Sequence, residues 1–524
     1  MKNIAKFLVA AAMLSSTAGC ETFLDVNDNP NSITTDAVQP YLILAQALKV
    51  TGDTYGLTLN SNYGNWVAGF WAKTGTVNGF NAERTYVYST TYQQGLWYDT
   101  YNNLKDYDDI VTSGEAQGQP YHSAIAKIMK VFNYQLLVDE YGDIPYTQSL
   151  QGASGNITPT YDKAEDIYKD FIVKLDEAIA TLASEPVGAR AVGTEDIVFG
   201  GNLANWRKFA NNLKLRILIR QSSVTSLDSY IRTEMAKLQS SVDGFINTDV
   251  VVQPGYLQTA GKQNPIWNMY RATPTGGTAT YYNWVAGTDY ILAQYQNNKD
   301  PRLSQLYLTV TNTTSPYVGK YKGVVLGEAD PIPGGTGLSR YRTYGGIYKG
   351  FDAPVPLMLA AETYFLQAEA KSRSNPYLPG GDAAAKSDFN NGIRASFVYY
   401  YTPAPSRRNT TSDVSANAVT DYNAYLAANP TNPLVNWDVA GNTKLEKIIY
   451  QKYLAENAVT GIEAWNDYRR TGYPKFPASV QSASPRTDKL PTRLLYPQYE
   501  LSTNSANVPA GVDQFTKIFW DVVD

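Results

Sequence analysis

The sequence predicts a mainly α-helical fold, a scaffold of about four tetratricopeptide-like helix hairpins carrying long, loop-rich and partly β insertions. Three observations lead there. Apolar residues recur at three- and four-residue spacing in separate blocks along the chain, the mark of helices with one buried face. Several of these blocks come in consecutive pairs. Between them lie two long stretches, at about 51–101 and 249–352, that lack the helical period and are rich in Gly, Tyr, Trp, Asn and Thr. Loops of that length within a packed domain tend to be functional.

Taken in order, residues 1–19 read as a lipoprotein signal peptide. Lys2 and Lys6 precede a short apolar run, Phe7 to Leu14, far below the ~20 residues that cross a bilayer. Thr17-Ala18-Gly19-Cys20 then supplies small residues ending at the only Cys of the chain, which makes Cys20 the expected site of lipidation. Residues 20–40 form a polar, turn-rich leader, and residues 41–524 a single domain. Within the leader, Asp25-Val26-Asn27-Asp28-Asn29 with Asp36 at the twelfth position is spaced like a calcium loop. Pro30 stands where that loop needs Gly, and the bidentate Glu is missing, so calcium remains a secondary possibility beside an Asx-turn.

The helical blocks follow. Ile125, Ile128, Met129, Phe132 and Leu136 share one stripe between His122 and Tyr141. Ile167, Phe171, Leu175, Ala178, Ile179 and Leu182 repeat the pattern between Asp162 and Ser184. Trp206, Phe209, Leu213 and Ile217 mark a third helix, with Arg216 and Arg220 near the end where cations suit the helix dipole. Leu357–Lys371 and the Phe389–Tyr400 stripe make one pair; Lys444–Asn457 and Ile462–Arg470 make another, joined by a turn at Gly461. The insertions add short β-like runs such as Tyr317–Leu326.

Composition removes several functions. A formal net charge of −4 without a basic cluster argues against nucleic acid, whose phosphates call for Lys and Arg. One Cys and one His allow neither an intrachain disulfide nor a Cys/His zinc site, and any His-dependent nucleophile would have to use His122 at a helix start. The 41 Tyr and 9 Trp against 16 Phe point instead to surfaces that are apolar on one side and wet on the other. Sugar binding needs aromatic faces for pyranose rings together with amides for hydroxyls. Asn65, Trp66 and Trp71 in the first insertion, and Tyr281, Tyr282, Asn283 and Trp284 in the second, supply both. The same aromatics can equally serve as packing. Trp206 and Trp465 lie on helical stripes and are expected in the core. Asp139 and Glu140 are the tempting carboxylate pair, but neighbouring helix residues point about 100° apart, so they are assigned to solvent and fold.

Five segments, in order along the mature chain, resemble the SusD/RagB-like family and particularly its second subgroup of starch-binding-type lipoproteins. They are Phe23–Asn31, the Tyr141-Gly142-Asp143-Ile144-Pro145-Tyr146 turn, the helix Trp206–Arg216, the apolar helix Ala360–Ala370, and Gly461–Pro474 followed by Arg493–Pro497. The resemblance implies a lipid-anchored protein at the outer-membrane surface, docking as a capture lid over a SusC-like TonB-dependent barrel that imports oligosaccharides, or sometimes peptides. No segment marks a pair of catalytic carboxylates, so the protein is expected not to be an enzyme; no cofactor and, calcium aside, no metal is expected. Glycan is favoured over peptide because the candidate loops carry Trp, Tyr and Asn with few charges. A secreted glycoside hydrolase using two carboxylates and a purely structural scaffold remain the alternatives.

Overall fold

A computed structural model describes residues 38–335, 337–407 and 414–523. The signal peptide, Cys20 and the Asp25–Asp36 calcium spacing lie outside the described residues. Helix α1 (Pro40–Asp53) runs directly into a π-helical stretch, Thr54–Gly64. Helices α2 (Gln94–Gly114), α3 (Pro120–Tyr141), α4 (Ala164–Ala183), α5 (Leu203–Arg220) and α6 (Asp228–Gln239) follow. Shorter α7 (Pro265–Tyr270) and α8 (Asp289–Asn297) belong to the second insertion. The chain then returns to the scaffold with α9 (Ala360–Ser372), α10 (Gly381–Tyr401), α11 (Val414–Ala428), α12 (Lys444–Glu456) and α13 (Gly461–Thr471).

Successive helices pack on one another: α1 on α2, α2 on α3, α3 on α4, α4 on α5, α9 on α10 and α10 on α11. That neighbour-on-neighbour stacking is the tetratricopeptide-like arrangement expected from the paired blocks. Helix α9 also packs on α12 and α5, which ties the two halves together. The α3 stripe is fully buried, including Ile125, Ile128, Met129 and Phe132, each side chain contributing about 1.5–3 kcal/mol by leaving water. Pro120 opens α3 where a missing N–H costs nothing, and Gly142 closes it at φ +72°. Asn202 and Thr443 cap α5 and α12 through hydrogen bonds to the amides of Asn205 and Glu446. No helix among the described residues is long and apolar enough to cross a membrane.

Several sequence expectations shift. Residues 51–64 are helical rather than loop. In a π helix the repeat is wider than 3.6 residues, so a search at that period misses it. Its widened turns are closed by side chains: Asn60 Nδ2 donates to the Tyr55 carbonyl at 2.8 Å and Ser61 Oγ to that of Gly56 at 2.8 Å. The first insertion is therefore confined to about 65–93. Leu357 and Met358 belong to a strand, Val355–Met358, ahead of α9. Gly461 starts α13 instead of forming the turn, which is Asn457–Thr460. Tyr317–Leu326 is not a strand; only Val318 and Val324 make isolated bridges.

An ionic layer fills the junction of α3, α5, α9, α12 and α13. Arg216 pairs with Glu362 at 2.7 Å, Arg470 with Glu369 at 2.6 Å and Asp467 at 2.8 Å, Lys452 with Asp467 at 2.8 Å, and Arg469 with Glu140 at 2.8 Å. Arg220 bridges Asp139 and Glu463. All of these side chains are buried. Asp139 and Glu140 thus serve the fold but not solvent, because α3 places their shared end of the helix against the arginines of α5 and α13. Trp206 and Trp465 are in the core. The family-like segments around α3, α5, α9 and α13 supply most of these charges.

Candidate functional site: an aromatic face between two insertions

The two insertions meet through backbone. Strand β1 (Trp71–Lys73) pairs antiparallel with β3 (Val285–Gly287), in the register Trp71↔Gly287, Ala72↔Ala286 and Lys73↔Val285; β2 (Val250–Val252) pairs antiparallel with β4 (Val355–Met358) in a separate sheet. Side chains reinforce the seam: Thr74 Oγ1 donates to the Asn283 carbonyl at 2.6 Å, and Thr288 Oγ1 to that of Gly69 at 2.6 Å. Gly75 is required here, since a Cβ would sit 2.1 Å from the Pro331 carbonyl oxygen. The turn Thr280–Asn283 immediately precedes β3, so the pairing carries residues 281–284 to the first insertion.

The result is a continuous run of rings. Trp66 stacks on Phe80 at 4.5 Å, and Phe80 meets Tyr281 at 6.3 Å and Trp284 at 6.4 Å. Tyr281 packs edge-on against Trp284 at 4.8 Å and tilts against Tyr270 at 5.5 Å, and Tyr270 lies 4.7 Å from Trp71. The Tyr270 hydroxyl donates to Asn62 Oδ1 at 2.8 Å, fixing that ring from the π-helical stretch.

The seven sequence-selected residues divide sharply. Tyr281, Tyr282, Asn283 and Trp284 are half-buried and present part of their surface. Asn65, Trp66 and Trp71 are 0–2% exposed and offer no face to a ligand. Asn65 abuts the start of α13, with Oδ1 only 2.4 Å from where a Cβ on Gly461 would lie. Trp66 and Trp71 lie one layer further in, supporting the half-exposed rings through Phe80 and Tyr270. Their burial follows from the π-helical stretch, which drives residues 65–71 inward. The sequence did not single out Phe80, which bridges both insertions from a left-handed φ of +62°, nor Arg271 and Arg340, which flank Tyr282 at 4.7 and 4.1 Å from its ring centre. The periodic signal of a helix is absent in this region, and only three-dimensional pairing brings these residues together.

Other candidates lose their chemistry on inspection. His122 is buried, donor or acceptor to Glu195 at 2.9 Å, and burial holds its pKa below the ordinary 6.5. Among the described residues no nucleophile is hydrogen-bonded to it; Ser123 Oγ donates to the Val111 carbonyl. Burial pushes the Glu140 carboxyl up to about 7 against the pull of Arg469, and Asp139 is likewise raised by burial against Arg220. Neither carboxylate can reach a glycosidic bond. A cleft of 510 Å³ opens between α2, α3 and α4, but its Lys127 and Lys174 already pair with Glu177 and its Lys130 with Asp108. Among the described residues no group of three or more His, Cys, Asp or Glu is placed to hold a metal ion.

Comparison with known proteins agrees with this architecture. The family model SusD-like, described as starch-binding associating with outer membrane, matches residues 30–497. None of the curated proteins compared matches the chain. Among solved structures, a chitin-binding protein is 25% identical with a TM-score of 0.70, over 92% of this chain and 99% of its own. A SusD homologue from Bacteroides uniformis is 25% identical with a TM-score of 0.67, over 92% and 99%. A chitin-binding SusD homologue from Flavobacterium johnsoniae shares the fold at 24% identity and a TM-score of 0.70, over 91% and 98%. With a family match along most of its length and the helical scaffold to go with it, this chain belongs to the SusD-like family of outer-membrane-associated proteins.

Proposed function

We propose that the protein is a lipid-anchored, cell-surface glycan-capture subunit that works without catalysis and hands its ligand to a TonB-dependent outer-membrane barrel. The observation that carries the ligand side is the half-exposed Tyr281–Trp284 segment, seated through half-buried Phe80 and buried Tyr270 on the buried Trp66 and Trp71. Rings held rigidly from beneath lose little freedom when a sugar stacks on them, which favours binding. Asn283 adds an amide beside the rings for hydroxyl recognition. The description of the solved relatives as binding proteins supports capture over hydrolysis. Anchoring rests on Cys20 and its preceding small residues; the barrel partner rests on family membership.

The test is calorimetry of residues 21–524 against chito- and malto-oligosaccharides, other glycans and peptides, with product formation followed in parallel. Binding of one glycan class without turnover supports capture, and Trp284→Ala is expected to weaken it about tenfold at unchanged melting temperature. Peptide binding at the same face would replace the ligand class, and product release would overturn the non-enzymatic assignment.

A further inference from the structure

The second insertion carries an electrostatic character opposite to the chain as a whole. Residues 249–352 hold nine Lys and Arg against six Asp and Glu, in a protein whose net charge is −4. Two of those arginines crowd one ring of the aromatic face. The guanidinium carbons of Arg340 and Arg271 lie 4.1 and 4.7 Å from the centre of Tyr282. Arg271 also lies 5.7 Å from Trp267, which stacks on the exposed Tyr344, and Arg407 covers Tyr344 at 3.6 Å.

Elsewhere the fold gives its buried arginines a carboxylate or, for Arg493, main-chain carbonyls. Arg216, Arg220, Arg302, Arg469 and Arg470 each have a carboxylate partner. Arg493 is satisfied by the carbonyls of Leu494 and Tyr141. Arg271 and Arg340 break this pattern: among the described residues neither has a carboxylate within 4.0 Å. Arg340 is only 9% exposed, donates to the Tyr282 carbonyl, and leaves Nη1 without a partner. Arg271 is half-buried and uses only Nε, on Thr343 Oγ1 at 2.6 Å. Burial and the neighbouring charge of Arg271 both act against the charged form of Arg340. Two like charges side by side, one of them desolvated, are costly in the free protein, and an anion placed against them relieves the cost.

Resting on glycan capture by this face, we propose that its ligand is an anionic oligosaccharide, whose carboxylate or sulfate ester is held by Arg271 while a neighbouring ring lies on Tyr281 or Trp284. Arg271 makes the contact because its guanidinium is the accessible one, and its planar fork matches either anion. Arg340, behind it, strengthens the positive potential and fixes the Tyr282 backbone.

Matched pairs test this on residues 21–524: an oligogalacturonate against its methyl ester, and a sulfated galactan oligosaccharide against its desulfated form, measured by calorimetry at low and high salt. The charged member of at least one pair is expected to bind about tenfold or more tightly, with the preference shrinking at high salt. Which pair shows it tells carboxylate from sulfate. Arg271→Gln, checked for an unchanged melting temperature, is expected to bring that pair level, and Arg271→Lys to retain part of the preference. Equal or tighter binding of the neutral members, or a preference that survives Arg271→Gln, overturns the anion assignment and leaves glycan capture standing. Silence toward every charged and neutral glycan overturns capture itself, and this assignment with it.

Discussion

At the scale of single residues, neighbouring aromatics have opposite jobs, and substitutions separate them. Trp66 is buried beneath Phe80, so Trp66→Ala leaves a cavity and is expected to cost about 3–5 kcal/mol in denaturant titration, with weakened binding only as a consequence. Trp284 is half-exposed, and its loss is expected to show in affinity rather than stability. Glu140 gives a pH signature. Its folded pKa, near 7, lies above the ordinary 4.5, so the folded state holds that proton more tightly than the unfolded chain does. The resulting stabilisation is complete below pH 4.5 and is lost as pH rises through 7. Glu140→Gln removes the titration, so its stability relative to the parent is expected to improve between pH 5 and 8, read from urea midpoints. A difference flat with pH would mean that Glu140 is charged throughout. Arg220→Met leaves Asp139 and Glu463 buried with one cation fewer, and about 3–5 kcal/mol of destabilisation is expected.

At the scale of elements, helices and site differed in how far the sequence revealed them. Helices α3, α4, α5, α12 and α13 follow from stripes such as Ile125–Phe132, because burial on one face forces a 3.6-residue period. Helix α2 escaped notice although Leu96, Trp97, Thr100, Leu104 and Tyr107 share its buried face, because Tyr, Asn and Asp between them dilute the contrast. The π-helical stretch was hidden by its own geometry. The candidate face was half legible: composition pointed to Tyr281–Trp284, which stand half-exposed, but it could not tell those rings from Trp66 and Trp71, which β1 and its approach bury. A close approach tests the π-helical junction. A Cβ on Gly461 would fall 2.7 Å from the Asn65 amide nitrogen and 2.8 Å from the Gly64 carbonyl carbon, so Gly461→Ala must displace backbone. It is expected to destabilise by about 1–3 kcal/mol in chemical denaturation.

At the scale of the whole molecule, the proposed anchor at Cys20 and the aromatic face separate attachment from recognition. Cys20→Ser is expected to move the protein from the membrane fraction to the soluble fraction without altering calorimetric affinity, since the candidate rings Tyr281–Trp284 belong to the second insertion. The face itself is assembled from segments 209 positions apart, Thr74 and Asn283, joined by main-chain pairing and hydroxyl-to-carbonyl bonds. Main-chain pairing is indifferent to most side chains, so the seam permits the rings and charges displayed beside it to change while the register holds. A new specificity grafted onto this scaffold should therefore be transplanted as two strands together; one insertion moved alone would arrive without the partner that shapes it.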